Sequence, residues 1–227
     1  MKRAIRSSVV MPHLFGLVGG LLSSFAYPDH AIWLAIFPSV ALILWAIAIS
    51  PLRYSATVGF VAGFAFYASQ IPWMTVYLGP VPWLALSFLE ALIFAVGSFA
   101  IAIALDFFKR AKRSRYSSVA LAISVASLWT AREWLACNFP YGGFPWSRVA
   151  LSQSNSPLAP WVFWGGASAL SFAIVFICAL IVFDWQKLNF KNWRTSPTFL
   201  IALLVLAVPA MTPLNNSAEV GTLDVAA

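Results

Sequence analysis

Seven uncharged, mostly apolar stretches fill most of this chain, at 7–28, 30–52, 54–89, 91–105, 116–131, 149–183 and 195–218. Crossing a bilayer as a helix takes about 20 such residues, because the hydrocarbon core is roughly 30 Å thick and the helix rises 1.5 Å per residue. Proline, glycine and aromatic punctuation divides the stretches into seven predicted spans, at about 9–27, 31–49, 54–71, 82–107, 117–136, 158–183 and 197–213. The fourth contains Glu90, and the fifth carries Arg132 and Glu133 near its end. The predicted fold class is therefore all-α, a polytopic transmembrane helical bundle.

Composition agrees with that reading and removes others. The chain is 61% hydrophobic and 9% charged, whereas a soluble domain carries about 25% charged residues. Its 16% aromatic content is the opposite of a disordered composition. A net charge of +7 invites a nucleic-acid reading, but the basic residues sit elsewhere. With the N-terminus inside, 12 of the 14 Lys and Arg residues fall in inner segments, as the positive-inside rule requires. Arg132 lies in a span and Arg148 in an outer loop. The charge thus reports an N-in, C-out topology, and no nucleic acid is needed.

Small residues predict how the spans pack, because they let backbones approach in lipid. Gly16 and Gly20 do this in the first span, Gly59 and Gly63 in the third. Ser87, Glu90, Ala91, Phe94, Gly97 and Ser98 share one side of the fourth. Lys2, Arg3 and Arg6 ahead of the first span resemble a signal peptide, but its apolar stretch is long and carries a glycine face, which favours a retained helix. Residues 1–214 read as one transmembrane domain. Residues 215–227 turn polar and then read as the start of a strand.

Ionisable residues inside a span need a partner or a wet cavity. Glu90 and Arg132 lie at similar predicted depths, and antiparallel neighbours would bring them together. Trp129, one turn from Arg132 and Glu133, is placed to stack on the guanidinium. Two readings stand: a buried ion pair that locks helix register, or a lining for substrate. The outer loops offer a second candidate. Seven of eleven tryptophans, including Trp73 and Trp146, fall near the outer boundary and three near the inner one. An ordinary belt populates both interfaces. The one-sided excess reads either as a surface for lipid tails or as a belt with elaborate loops. Cys137 and Cys178 have no histidine near them in sequence and read as ordinary apolar cysteines. The sequence holds no metal-ligand cluster, no phosphate-binding glycine loop and no Ser/His/Asp set, so no cofactor is indicated.

The stretch Arg132-Glu133-Trp134-Leu135, Gly142-Gly143-Phe144-Pro145-Trp146, Leu151-Ser152-Gln153 and Ser156-Pro157-Leu158 resembles the signature of bacterial apolipoprotein N-acyltransferases. Gly165-Gly166 and Leu170-Ser171-Phe172 are similar to that family's entry into the next helix. Gly59 to Tyr77, with Trp73, is similar to its third helix and following loop. The resemblance implies a multi-pass protein of the bacterial cytoplasmic (inner) membrane. It also implies an acyl chain transferred from a phospholipid donor to the α-amine of a lipoprotein's diacylglyceryl-cysteine. In that family the reaction runs through a thioester, using a Glu, a Lys and a Cys of a nitrilase-like domain.

No residue of this chain matches those three, and residues 223–227 look like that domain's first strand. The resemblance therefore implies no catalytic residue here; neither Cys137 nor Cys178 takes the role. It implies anchoring and lipid access for a nitrilase-like domain on the same or another chain. Gly143, Phe144, Pro145, Trp146 and Trp73 are the implied substrate-binding residues. Glu90, Trp129, Arg132 and Glu133 are the implied support. The alternative is a non-catalytic membrane anchor for another lipid-linked enzyme, such as a polyprenol-phosphate mannose synthase.

Overall fold

The computed structural model describes residues 2–111, 117–184 and Ala207. The remainder of the predicted seventh span, the basic positions 112–115 and 187–194, and the tail 215–227 lie outside the described residues. Among the described residues the elements are α1 (Lys2–Ser23), α2 (Ile36–Ile49), α3 (Leu52–Gln70), α4 (Met74–Leu78), α5 (Pro80–Arg110), α6 (Ser117–Ala136) and α7 (Trp161–Asp184), with short 3-10 turns at Ser24–Ala26, Trp33–Ala35 and Val149–Gln153. All regular structure among them is helical, as the apolar pattern predicts.

Each boundary has a local cause. Gly79, at φ +82°, turns the chain into α5, and Pro80 opens that helix. A proline there sacrifices nothing, since the first-turn N–H groups have no intrahelical partner anyway. The sequence reading placed this start two residues later. Pro51, at ψ 141°, separates α2 from α3 with a single extended step. Within α7 the ladder breaks at Gly165 and Gly166. Gly166 has φ +68°, ψ −173°, a conformation that only glycine adopts without strain.

The six longer helices close into a ring. Neighbours run α1, α2, α7, α6, α5, α3 and back to α1. The α3–α5 contact rests on the predicted glycines: a Cβ on Gly59 would lie 2.3 Å from Ser98, and one on Gly63 2.5 Å from Phe94 Cβ. Every residue of the predicted α5 face, from Ser87 to Ser98, is buried. Inside the ring pack Val40, Ile43 and Leu44 of α2, Phe66 of α3, Phe94 of α5, Trp129 of α6 and Ile174 of α7. The outside is apolar too. Phe88, Leu92, Val96, Phe99 and Ile103 form an exposed stripe along α5, the pattern of a helix whose solvent is lipid.

Among the described residues, three helices are long and apolar enough to cross a membrane: Val9–Ala26, Pro80–Arg110 and Trp161–Phe183. The apolar helix Trp33–Ile49 is shorter. Helices α3 and α6 stand where the third and fifth spans were predicted, the latter carrying Arg132 and Glu133.

Candidate functional site

One end of the ring gathers the C-termini of α1, α3 and α6 and the N-termini of α2, α5 and α7, so the connections 24–35, 71–79 and 137–160 all lie there. Two layers of residues make up this end: a buried polar layer just inside the ring, and an aromatic ledge on top.

Arg132 centres the polar layer. Its guanidinium carbon lies 4.2 Å from the ring centroid of Phe94 and 4.8 Å from that of Trp129. The predicted stacking on Trp129 is thus present, with Phe94 as a second face. Nη1 donates to the Tyr67 hydroxyl at 3.2 Å, and Nη2 lies 3.8 Å from Glu133 Oε1. A side chain on residue 97 would strike the aliphatic stem of Arg132, whose Cγ and Cδ would lie 2.8 Å from an added Cβ, so Gly97 makes the space it occupies. Glu90 is only 1% exposed. It interacts with Arg132 and the Tyr67 hydroxyl, but the two charged groups do not close an ion pair within 4.0 Å. Tyr67, from α3, takes up the guanidinium hydrogen bond instead. Glu90 and Arg132 do lie close in depth, but a third helix inserts the Tyr67 hydroxyl beside the guanidinium.

Glu133 points the other way, towards the loop. Oε1 accepts from Trp129 Nε1 at 3.0 Å and from the backbone N–H of Val149 at 3.0 Å. Oε2 lies 3.8 Å from Arg148 Nε. Arg148 in turn donates to Ser168 Oγ of α7 at 2.6 Å. One carboxylate thus ties α6 to the 3-10 turn Val149–Gln153. The same turn is held by Ala150 N–H to Ser171 Oγ at 3.1 Å and by Gln153 Nε2 to the carbonyl of Trp33 at 3.2 Å. Charged and amide groups buried this deeply stabilise only when their partners are in place.

Above this layer the loop doubles back on α6. Phe144 N–H donates to the carbonyl of Ala136 at 2.8 Å, and Gly143 N–H to that of Pro140 at 2.8 Å. Gly143 has φ +72°, and a Cβ there would sit 2.2 Å from the Cys137 carbonyl carbon. Only glycine permits that approach. The chain then presents Phe144 partly buried, and Pro145 and Trp146 exposed. Trp146 packs on Trp73 with ring centroids 5.6 Å apart, and Trp73 on Tyr77 at 6.5 Å. Trp146 and Trp73 remain 46% and 41% exposed. Two residues predicted separately, from different loops, therefore form one ledge. The four predicted support residues, Glu90, Trp129, Arg132 and Glu133, lie together beneath.

Cys137 follows α6, half-buried, and burial pushes its thiol pKa up, against thiolate formation. Cys178 is buried, with Sγ 3.5 Å from the Phe37 carbonyl. Tyr67 stands at helical spacing from Gly59 and Gly63, but the sequence marks neither it nor Tyr27 as a partner of Arg132 or of the 147–148 carbonyls. A tyrosine near a span end reads as an interface aromatic, and nothing local marks it as a hydrogen-bond partner for a residue elsewhere in the chain.

The sequence profile of the apolipoprotein N-acyltransferase N-terminal domain matches residues 19–180. Among curated proteins, the chain is 30% identical over 207 residues to the apolipoprotein N-acyltransferase of Azotobacter vinelandii, covering 89% of this chain and 39% of that protein. It is 30% identical over 203 residues to that of Pseudomonas putida, covering 87% and 38%. It is 24% identical over 198 residues to that of Photobacterium profundum, covering 86% and 37%. The chain thus spans less than two fifths of the length of these relatives. The motif block 132–172, the ring that carries it and the profile match lead to one assignment: the chain belongs to the apolipoprotein N-acyltransferase N-terminal domain family.

Proposed function

We propose that this chain is the membrane part of an apolipoprotein N-acyltransferase of the bacterial inner membrane. In this reading it supplies anchoring and lipid access to a nitrilase-like domain on the same or another chain. That domain transfers an acyl chain from phospholipid to the α-amine of a lipoprotein's diacylglyceryl-cysteine. The observation that carries the reading is the ledge of Trp73 and Trp146, exposed yet held on a pinned loop at one end of an apolar ring. An indole at headgroup level offers an apolar face to an acyl chain while its N–H stays with polar partners. The ring fixes the ledge; the ledge receives the lipid tail. A direct test is transfer to a diacylglyceryl lipoprotein by membranes holding the nitrilase-like domain with and without this chain. Transfer should need both. Equal transfer without this chain would leave it an anchor for other chemistry, such as that of a polyprenol-phosphate mannose synthase.

The same reading fixes a topology of seven spans, N-terminus inside and C-terminus outside, with the ledge on the outer face. Support comes from the 12 basic residues assigned to inner segments. Reporter fusions after Arg115 should read as cytoplasmic, and those after Ser154 or Ala218 as exterior. A cytoplasmic signal at Ser154 would put the ledge on the wrong side of the membrane and end the proposal.

A further inference from the structure

The residue after Trp146 is held more firmly than an exposed loop requires. Ser147 is a non-glycine residue at φ +64°, a strained backbone state that persists only where the surroundings over-determine it. It is also buried, at 2% exposure. Three separate elements grip residues 147–149. From the α1–α2 connection, the Tyr27 hydroxyl lies 3.0 Å from the Ser147 carbonyl and 2.9 Å from that of Arg148, in position to donate to both. From α6, Glu133 accepts the Val149 N–H. From α7, Ser168 accepts from the Arg148 side chain. Tyr27 is itself fixed, buried and edge-on to Phe66 with centroids 6.2 Å apart. Its partners lie 120 and 121 residues away in the chain. The pivot that aims Trp146 is therefore set at once by the α1–α2 connection and by two helices of the ring, α6 and α7.

We propose that Tyr27 is a positioning residue for the ledge: by holding the carbonyls of Ser147 and Arg148, with Glu133 and Ser168 gripping the same segment, it fixes the direction in which Trp146 meets the acyl chain. The inference rests on the reading of Trp146 as an acyl-chain contact. It adds that the first connection of the chain, remote from the motif block, controls how that contact is presented. Tyr27→Phe removes only the hydroxyl and keeps the ring against Phe66, so it separates the hydrogen bonds from the packing.

The test is a double-mutant cycle in acyl transfer, measured with the nitrilase-like domain present. Tyr27→Phe should lower transfer about three- to tenfold, the range for losing one or two hydrogen bonds. In a Trp146→Ala background the same change should have less than about a twofold effect, because coupled residues are non-additive. In a Trp45→Ala background, at the opposite end of the ring, it should keep its full effect. A residue that merely supported folding would scale the active fraction equally in all three. Equal loss in every background therefore overturns the inference and leaves the ledge reading standing. No loss from Tyr27→Phe in the otherwise unchanged chain overturns it as well. If Trp146→Ala is itself harmless, the ledge reading falls and takes the inference with it. Ser168→Ala, which removes the Arg148 partner on α7 and lies only partly buried, repeats the cycle should Tyr27→Phe fail to accumulate, and the same three outcomes decide.

Discussion

With the nitrilase-like domain of the proposed function supplied, Trp146→Ala should lower acyl transfer at least about tenfold, equivalent to about 1.4 kcal/mol, while the protein inserts and accumulates normally. An aromatic side chain buries up to about 150–250 Å², so at about 25 cal/mol per Å² a full contact with lipid is worth several kcal/mol. The indole does not have all of that to offer. It already packs against Trp73 at 5.6 Å, and it is 46% exposed before any lipid arrives. The usable part is therefore a fraction, and tenfold is a conservative expectation. Trp45→Ala is the control. That indole stacks on Phe15 at 5.8 Å and is 51% exposed, but it belongs to the other end of the ring. Its loss should leave transfer nearly unchanged. Transfer rates for the two variants, beside their levels in the membrane, settle the matter. If both act equally, or if Trp146→Ala only abolishes accumulation, the indole is an interface anchor and no lipid contact.

The helices were legible because lipid imposes so narrow a grammar: long uncharged runs, small residues where backbones meet, and little else that satisfies backbone polar groups. Gly59 and Gly63 could be read as a contact face since their spacing is itself the contact. Trp129 and Arg132 were legible for the same reason, being neighbours on a single helix. What escaped was placed by more than one element. Tyr67 reaches Arg132 from 65 residues away and Tyr27 reaches Ser147 from 120; no spacing rule spans such intervals. Pro80 opens α5 where the sequence reading put the helix start at position 82, because proline as a breaker and proline as a first-turn residue look alike without the preceding Gly79 φ of +82°. Gly165-Gly166 was recognised as a motif, yet that both residues leave the helical ladder inside α7 is a conformational fact that the letters alone do not carry.

Arg132→Ala should destabilise the chain by about 3–5 kcal/mol, the cost of removing one member of a buried charged group and leaving its partners behind. Glu133 would keep its hydrogen bonds from Trp129 and Val149 but lose the cation at 3.8 Å. Glu90, with Oε2 already lacking a hydrogen-bond partner, would lose the positive charge it faces. Phe94 and Trp129 would lose the guanidinium between them, and Gly97 would border a void where the stem had been. Arg132→Lys restores the charge without the planar group, so it should recover part of the loss and no more. The contrast is Arg110→Ala. Arg110 pairs with Asp106 at 2.7 Å, a shorter distance than any ion pair Arg132 makes, but its side chain is 78% exposed. Such a pair is worth about 0–1 kcal/mol, so the variant should unfold almost where the parent does. Thermal unfolding of the purified chain in detergent orders the three variants. Were Arg110→Ala to cost as much as Arg132→Ala, distance and not burial would govern these charges, and the polar layer beneath the ledge would have no claim to hold the ring in register.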